Sequence, residues 1–425
     1  MFKSQYGFRT GHNTTHATID FVKTIEDSLD SNEFAVGVFC DLSKAFDTIN
    51  HEVLLEKLDH YGIRGSIHDW LRSYLSGREQ YVELNGAISS KLPILTGVPQ
   101  GSILGPLLFL IYINDLPSAT TMKTILFADD SNFLIRGKNL STLKNNLNCE
   151  LENINDYFKA NKLKLDAKKT KLVCFRKKSK KVDLSTLQVF LDGEQLVFEE
   201  EAQFLGIVID SNLMWDKHCN HVSNKISRNN ALINQVKKVL PPPSLKILYN
   251  SLILPHLQYG LAAWGGCSNQ SKKRIINIQK RAIRTVSKSY VIAHTEPRMK
   301  KLGLLKLDEL YTHQCATLVH DMHNKRAPIP IIDLLPVEEE QPRYRLCSHV
   351  NNPNHLRTPI TRSKIGSNGF CCKGPQVWNS LPPELQSVRS RHSFKSQLKQ
   401  RLLGSYEERT TCSNPRCHDQ RHHHN

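Results

Sequence analysis

The sequence predicts an α+β fold, with strands gathered in residues 1–210 and helices dominating from residue 211 onward. Three observations predict it. Phe34 to Cys40 is a short apolar run ending at Asp41, the pattern of a buried strand. Ile125 to Ile135 reads as a hairpin whose apolar arms bracket a polar tip holding Asp129 and Asp130. After residue 211 apolar residues recur at helical rather than strand spacing.

The remaining elements follow in order. Residues 13–30 form a helix with Ile19, Val22, Ile25 and Leu29 on one face and Asn13 or Thr14 as its cap. Residues 51–61 form a second. Tyr81 to Leu84 and Ile88 to Leu92 flank Asn85-Gly86, a strong hairpin signal. Ile103 to Ile113 is uncharged and apolar but only about half a membrane span, and its Gly105 and Pro106 favour a buried core helix. Residues 142–160 are helical. Leu172 to Phe175, Val189 to Leu191 and Phe204 to Ile209 are read as strands. Pro241-Pro242-Pro243 marks a boundary within the helical part. Residues 330–365, richer in Pro, Glu and Arg, read as a loosely structured connection. The segments 1–210, 211–330 and 331–425 are the expected domains.

The chain has 425 residues, 39% of them hydrophobic and 23% charged, which suits a globular protein with a sizeable core. Its 57 Lys+Arg against 40 Asp+Glu leave a net charge of +17, which points to a polyanionic partner. The 11 cysteines are too sparse for a disulfide-built module, and no apolar leader follows Met1. The expectation is an intracellular protein, in the nucleus or cytoplasm, with reduced cysteines and no membrane partner.

Chemistry enters with the carboxylates. Taken singly, Asp41, Asp129 and Asp130 are ordinary turn or cap residues. Brought together, they would repel one another unless cations bind, and two Mg²⁺ ions about 4 Å apart would satisfy them. Leu95 to Pro106 is a second signal: a Gly- and Pro-rich loop that opens into an apolar helix and lets backbone approach a ligand.

The combination resembles the reverse transcriptases of non-LTR retrotransposons, of the LINE type. Asp41-Leu42-Ser43-Lys44-Ala45-Phe46-Asp47 resembles their motif A. Gly97-Val98-Pro99-Gln100-Gly101-Ser102 with Leu104-Gly105-Pro106 resembles motif B, Phe127-Ala128-Asp129-Asp130 motif C, and Asn161 to Phe175 motif D. Gln5 to Arg9 with Gly11 resembles the fingers motif before motif A, and Phe204 to Asp210 the strand that grips the primer end. More loosely, Tyr249 to Gly260 with Ala263-Trp264-Gly265, and Ser393 to Ser396, resemble the region after the core in jockey- and CR1-like elements.

The resemblance implies a right-hand polymerase: a palm with an antiparallel sheet backed by helices, partial fingers, a helical thumb, and a C-terminal connection with a basic tail. It implies RNA-directed DNA synthesis on an RNA template and DNA primer, with dNTPs and two Mg²⁺ ions. Asp41 and Asp129 would hold both metals, with Asp130 a weaker ligand. Lys169 would protonate the leaving pyrophosphate. Leu42, Phe46, Gln100 and Gly101 would receive the dNTP, the Phe46 ring refusing a ribose 2′-OH. Arg9, Gly206, Lys273, Lys280, Arg281 and Arg284 would contact nucleic acid.

Two basic stretches agree with a nucleic-acid partner. Lys159 to Lys181 holds eleven Lys/Arg and one acid, and Lys272 to Arg284 has Ile275, Ile276, Ile278, Ala282 and Ile283 as its apolar contacts. Cys412, Cys417, His418 and His422 to His424 fit a zinc pattern poorly and read as a tail. Against the family's usual pattern, the earlier fingers motifs and an upstream endonuclease are not in this sequence, so a truncated polymerase is expected. A non-catalytic nucleic-acid-binding remnant is the alternative. The sequence leaves protein partners open.

Overall fold

The computed structural model describes residues 1–180, 182–184, 187–335 and 354–406. The described chain forms two compact units: residues 1–17 with 31–202, and residues 18–30 with 203–425. Helix α1 (Thr14–Asp30) straddles the first boundary. Asn13 caps it, accepting from the His16 N–H at 3.0 Å, and Ile19, Val22, Ile25 and Leu29 are all buried.

The first unit is built on β1 (Phe34–Cys40), the run expected from sequence, with the same bounds. All seven of its residues are buried, because both faces of the strand are covered. Then come α2 (His51–His60), α3 (Ser66–Leu75), the short strands β2 (Glu79–Gln80), β3 (Glu83–Leu84), β4 (Ala87–Ile88) and β5 (Leu92–Pro93), and α4 (Leu104–Tyr112). The hairpin arms are shorter than expected, but Asn85 and Gly86, at φ +52° and +80°, make the turn between β3 and β4. The unit continues with β6 (Lys123–Phe127), β7 (Asp130–Gly137), α5 (Leu140–Ala160), β8 (Lys171–Phe175), β9 (Val189–Leu191), β10 (Glu194–Leu196) and β11 (Phe198–Glu199).

Five strands form its main sheet, in the order β11-β8-β1-β7-β6. Pairing is antiparallel throughout except at the edge, where β11 runs parallel to β8. One face carries the core: Val36, Val38 and Phe133 pack with Leu147, Leu151 and Ile154 of α5, Phe109 and Tyr112 of α4, and Leu54 and Leu58 of α2. Burial on this scale fixes register, since a one-residue slip of β1 would turn these side chains to the other face.

At the start of the second stretch of the second unit the expected strand Phe204–Ile209 is instead a hairpin of β12 (Glu201–Phe204), which spans the boundary at residue 202, and β13 (Ile207–Asp210). Leu205 and Gly206, at φ +45° and +81°, both adopt the left-handed conformation that a two-residue hairpin turn demands. Helices follow: α6 (Asp216–Val236), α7 (Pro242–Leu252), α8 (Leu254–Gln258), α9 (Leu261–Trp264), α10 (Asn269–Val286), α11 (Glu296–Leu302), α12 (Leu307–His323) and α13 (Ile329–Ile332), then α14 (Lys364–Asn368), α15 (Phe370–Asn379), α16 (Pro383–Gln386) and α17 (Arg391–Gly404). The three prolines mark the boundary as expected, Pro241 as the N-cap of α7 and Pro242 and Pro243 in its first turn. Phe394 of α17 is fully buried and stacks on His320 of α12 at 4.3 Å. Cys371 and Cys372 are buried. Part of the expected connection (336–353) and the whole Cys/His tail lie outside the described residues. No helix among the described residues is long and apolar enough to cross a membrane.

Candidate active site

The register of the sheet brings the carboxylates to one end. Cys40 of β1 pairs with Ser131 of β7, so Asp41, one residue beyond, emerges opposite Asp130, one residue before. β6 pairs with β7 up to Phe127 and Asp130, leaving Ala128 and Asp129 as a two-residue turn. Although Asp130 keeps an open path to solvent, neighbouring protein shields its carboxyl. Desolvation first, then the negative charges of Asp129 and Asp41, push it up to about 6. Asp130 therefore feels the charge of both Asp129 and Asp41.

Lys169 reaches the same place. Its Nζ lies 3.1 Å from Asp41 Oδ2 and 3.5 Å from Asp166 Oδ2, and the Asp41 carboxylate raises its pKa. The segment that carries it is stitched to the end of β1: Leu42 bridges Leu165, the Asp166 N–H donates to the Asp41 carbonyl at 3.1 Å, and the Ser43 N–H to the Lys164 carbonyl at 3.2 Å. The Leu42 side chain is buried, so only its backbone can face a ligand.

Motifs A and B are joined just beyond. The Val98 N–H donates to the Phe46 carbonyl at 2.9 Å and the Gly97 N–H to the Ile49 carbonyl at 2.7 Å. Gln100 Nε2 donates to Asp47 Oδ1 at 2.8 Å, and His51 Nε2 lies 2.7 Å from the Gly97 carbonyl oxygen. Gly97 is required here: its φ is +86°, and a Cβ would meet the Asp47 backbone at 2.8 Å. Gly101, at φ +80°, faces open space. Phe46 is half-buried, its ring 4.6 Å from that of Phe109.

Arg9 is engaged with its own segment, Nη1 donating to the Phe2 and Gln5 carbonyls at 2.9 Å. The other candidates belong to the second unit. Gly206 forms the β12–β13 turn, whose Leu205 carbonyl accepts from the Tyr259 hydroxyl at 2.6 Å. On α10, Lys273, Lys280 and Arg281 are exposed. Arg284 is half-buried, with Nε donating to the Ala293 carbonyl at 2.8 Å. Lys272, within the same basic stretch, is buried against Asp308 at 2.6 Å and so does not belong to the exposed face.

Residues 1–209 match the family model described as reverse transcriptase (RNA-dependent DNA polymerase). The chain carries a LINE-type reverse transcriptase domain. Among curated relatives from Drosophila melanogaster, it is 27% identical over 319 residues to the RNA-directed DNA polymerase from mobile element jockey, covering 72% of this chain and 34% of that one. It is 28% identical to the probable RNA-directed DNA polymerase from transposon X-element, covering 84% and 39%. It is 29% identical to that from transposon BS, covering 67% and 32%. The chain thus spans about a third of the length of these relatives. A structure of apo telomerase from Candida tropicalis superimposes over 71% of this chain and 50% of that one, with a TM-score of 0.39 and 12% identity, too partial a likeness to carry an argument.

Within this reverse transcriptase domain the metal question turns on the donor set. Among the described residues no three His, Cys, Asp or Glu side chains stand grouped as ligands of a metal ion. The residues nevertheless suit hard divalent cations: they are carboxylates, burial and the charges of Asp129 and Asp41 raise the proton affinity of Asp130, and the Lys169 ammonium already rests on Asp41. Sequence pattern assigns no role to Gln5, Asp47, His51 or Asp166. Asp47 stands within motif A and Gln5 within the fingers motif, but their partners lie far along the chain, where local pattern is silent.

Proposed function

We propose that the chain is the polymerase portion of an RNA-directed DNA polymerase, adding deoxynucleotides to a primer 3′-hydroxyl on an RNA template. The observation that carries this is the placement of Asp41, Asp129 and Asp130 at the same end of the main sheet, beside Lys169 and the joined motif A and B loops. In this reading residues 1–210 hold the palm and partial fingers, residues 211–330 are the thumb, and 331–425 are a C-terminal connection and basic tail. The setting is intracellular, in nucleus or cytoplasm.

Asp41, Asp129 and Asp130 would hold two Mg²⁺ ions, which, when bound, activate the primer hydroxyl and stabilise the leaving pyrophosphate. Phe46, braced by Phe109, offers an apolar ring and no polar partner to a 2′-OH, which favours dNTPs over NTPs. Asp47 fixes the Gln100 amide, and Gly101 leaves room for a nascent base pair. Lys169 keeps its proton under the influence of Asp41, so it is loaded as a donor to the pyrophosphate. Lys273, Lys280 and Arg281 give α10 a phosphate-binding face.

Primer extension tests the reading. Purified chain with poly(rA)·oligo(dT), Mg²⁺ and dTTP should extend the primer, and Asp129→Ala/Asp130→Ala should not. Salt-sensitive binding of the duplex with no extension by the wild type would favour the non-catalytic remnant.

A further inference from the structure

The turn between β6 and β7 depends on residues more than a hundred positions upstream. Ala128 sits at φ +57°, a conformation costly for a residue with a Cβ and kept only where surroundings impose it. The N-terminal segment imposes it. Gln5 is 2% exposed, and its Oε1 accepts from the Gly7 N–H at 2.8 Å and the Ala128 N–H at 3.2 Å. Two N–H donors converge on that atom, so it must be the amide oxygen rather than the nitrogen. Backbone bonds flank the contact: the Tyr6 N–H donates to the Leu126 carbonyl at 2.8 Å and the Leu126 N–H to the Ser4 carbonyl at 2.9 Å. Gly7 packs so closely that a Cβ would lie 2.3 Å from the Ala128 nitrogen. The Gln5 Nε2 is buried and has no partner among the described residues. Leaving a donor unsatisfied is costly, and the oxygen's hold on the turn is the compensating gain.

We propose that Gln5 is a positioning residue for Asp129, its amide oxygen locking the left-handed Ala128 and so the direction in which the next residue's carboxylate leaves the hairpin. This rests on the polymerase reading of the site. The test uses the full chain with Gln5→Met, which removes the acceptor at similar size, and Gln5→Glu, which keeps one. In Gln5→Met, amide exchange of the peptide holding Ala128 should quicken and the Mg²⁺ needed for half-maximal primer extension should rise. Its kcat should fall by on the order of 100-fold, as for a misplaced reacting group. The KM for dTTP and the melting temperature should stay near wild type. Gln5→Glu should keep the exchange protection. Unchanged exchange at Ala128 in Gln5→Met, or a loss of kcat that tracks a loss of melting temperature, would overturn the proposal. Should the wild type extend no primer, the polymerase reading fails by itself. Mn²⁺ affinity and amide exchange in the same variants still decide the role of Gln5: weaker binding with faster exchange in Gln5→Met supports it, and equality overturns it.

Discussion

Phe46 and Gly97 show how much of the site depends on single side chains. The Phe46 ring packs at 4.6 Å on Phe109, which holds it where a sugar would pass. Replacing it with the smaller, still apolar valine should relax sugar choice, raising UTP incorporation relative to dTTP by about tenfold or more in kcat/KM. Competitive single-nucleotide extension measures that ratio. Gly97→Ala forces a Cβ onto the Asp47 backbone and strains a residue at φ +86°. Urea unfolding should report a loss of about 1–3 kcal/mol. At this scale Asp129 and Asp130 were legible because adjacent like charges on a hairpin of apolar strands need a reason. The contact of His51 with Gly97 was not, since no local pattern announces a hydrogen bond between distant loops.

Elements were legible where periodicity was clean and lost where it was interrupted. Seven uninterrupted apolar residues gave β1 its bounds. Phe204 to Asp210 reads as one apolar run, and the Leu205-Gly206 turn inside it is set by backbone angles that only Gly206 hints at. Helix α3 went unmarked, though the spacing of Ile67, Leu71, Tyr74 and Leu75 carries it; Ile67 stands exposed while Leu71 and Leu75 are buried. On α10 the basic stretch divides by burial. Lys272 and Arg284 are held by the protein, while Lys273, Lys280 and Arg281 face outward. Replacing those three with alanine should weaken duplex binding evenly across sequences. It should also reduce the slope of log K against log salt by about 0.7–0.9 for each phosphate that is no longer neutralised. Filter binding from low to moderate salt tests this, and an unchanged slope would remove α10 from the interface.

For the whole molecule, stability and catalysis respond to different charges. Glu26 of α1 is buried, and desolvation pushes its carboxyl up to about 8, with Lys23 pulling it down and Asp27 adding to the rise. The folded state therefore binds a proton that the unfolded chain has released, and stability falls as pH rises from about 4.5 towards 8, by at most about 1.4 kcal/mol per pH unit. Thermal unfolding across that window should show the decline, and Glu26→Gln should flatten it. The catalytic account rests instead on Asp41, Asp129 and Asp130 acting as one site. Its most direct measurement is Mn²⁺ titration, followed by electron paramagnetic resonance, of the full chain with poly(rA), a dideoxy-terminated oligo(dT) primer and dTTP. Two ions should bind per wild-type chain, both should be lost in Asp41→Asn and Asp129→Asn, and primer extension should be lost in the same variants. Two ions retained in either variant, or extension by Asp129→Ala/Asp130→Ala, would show that the three carboxylates do not act as one site.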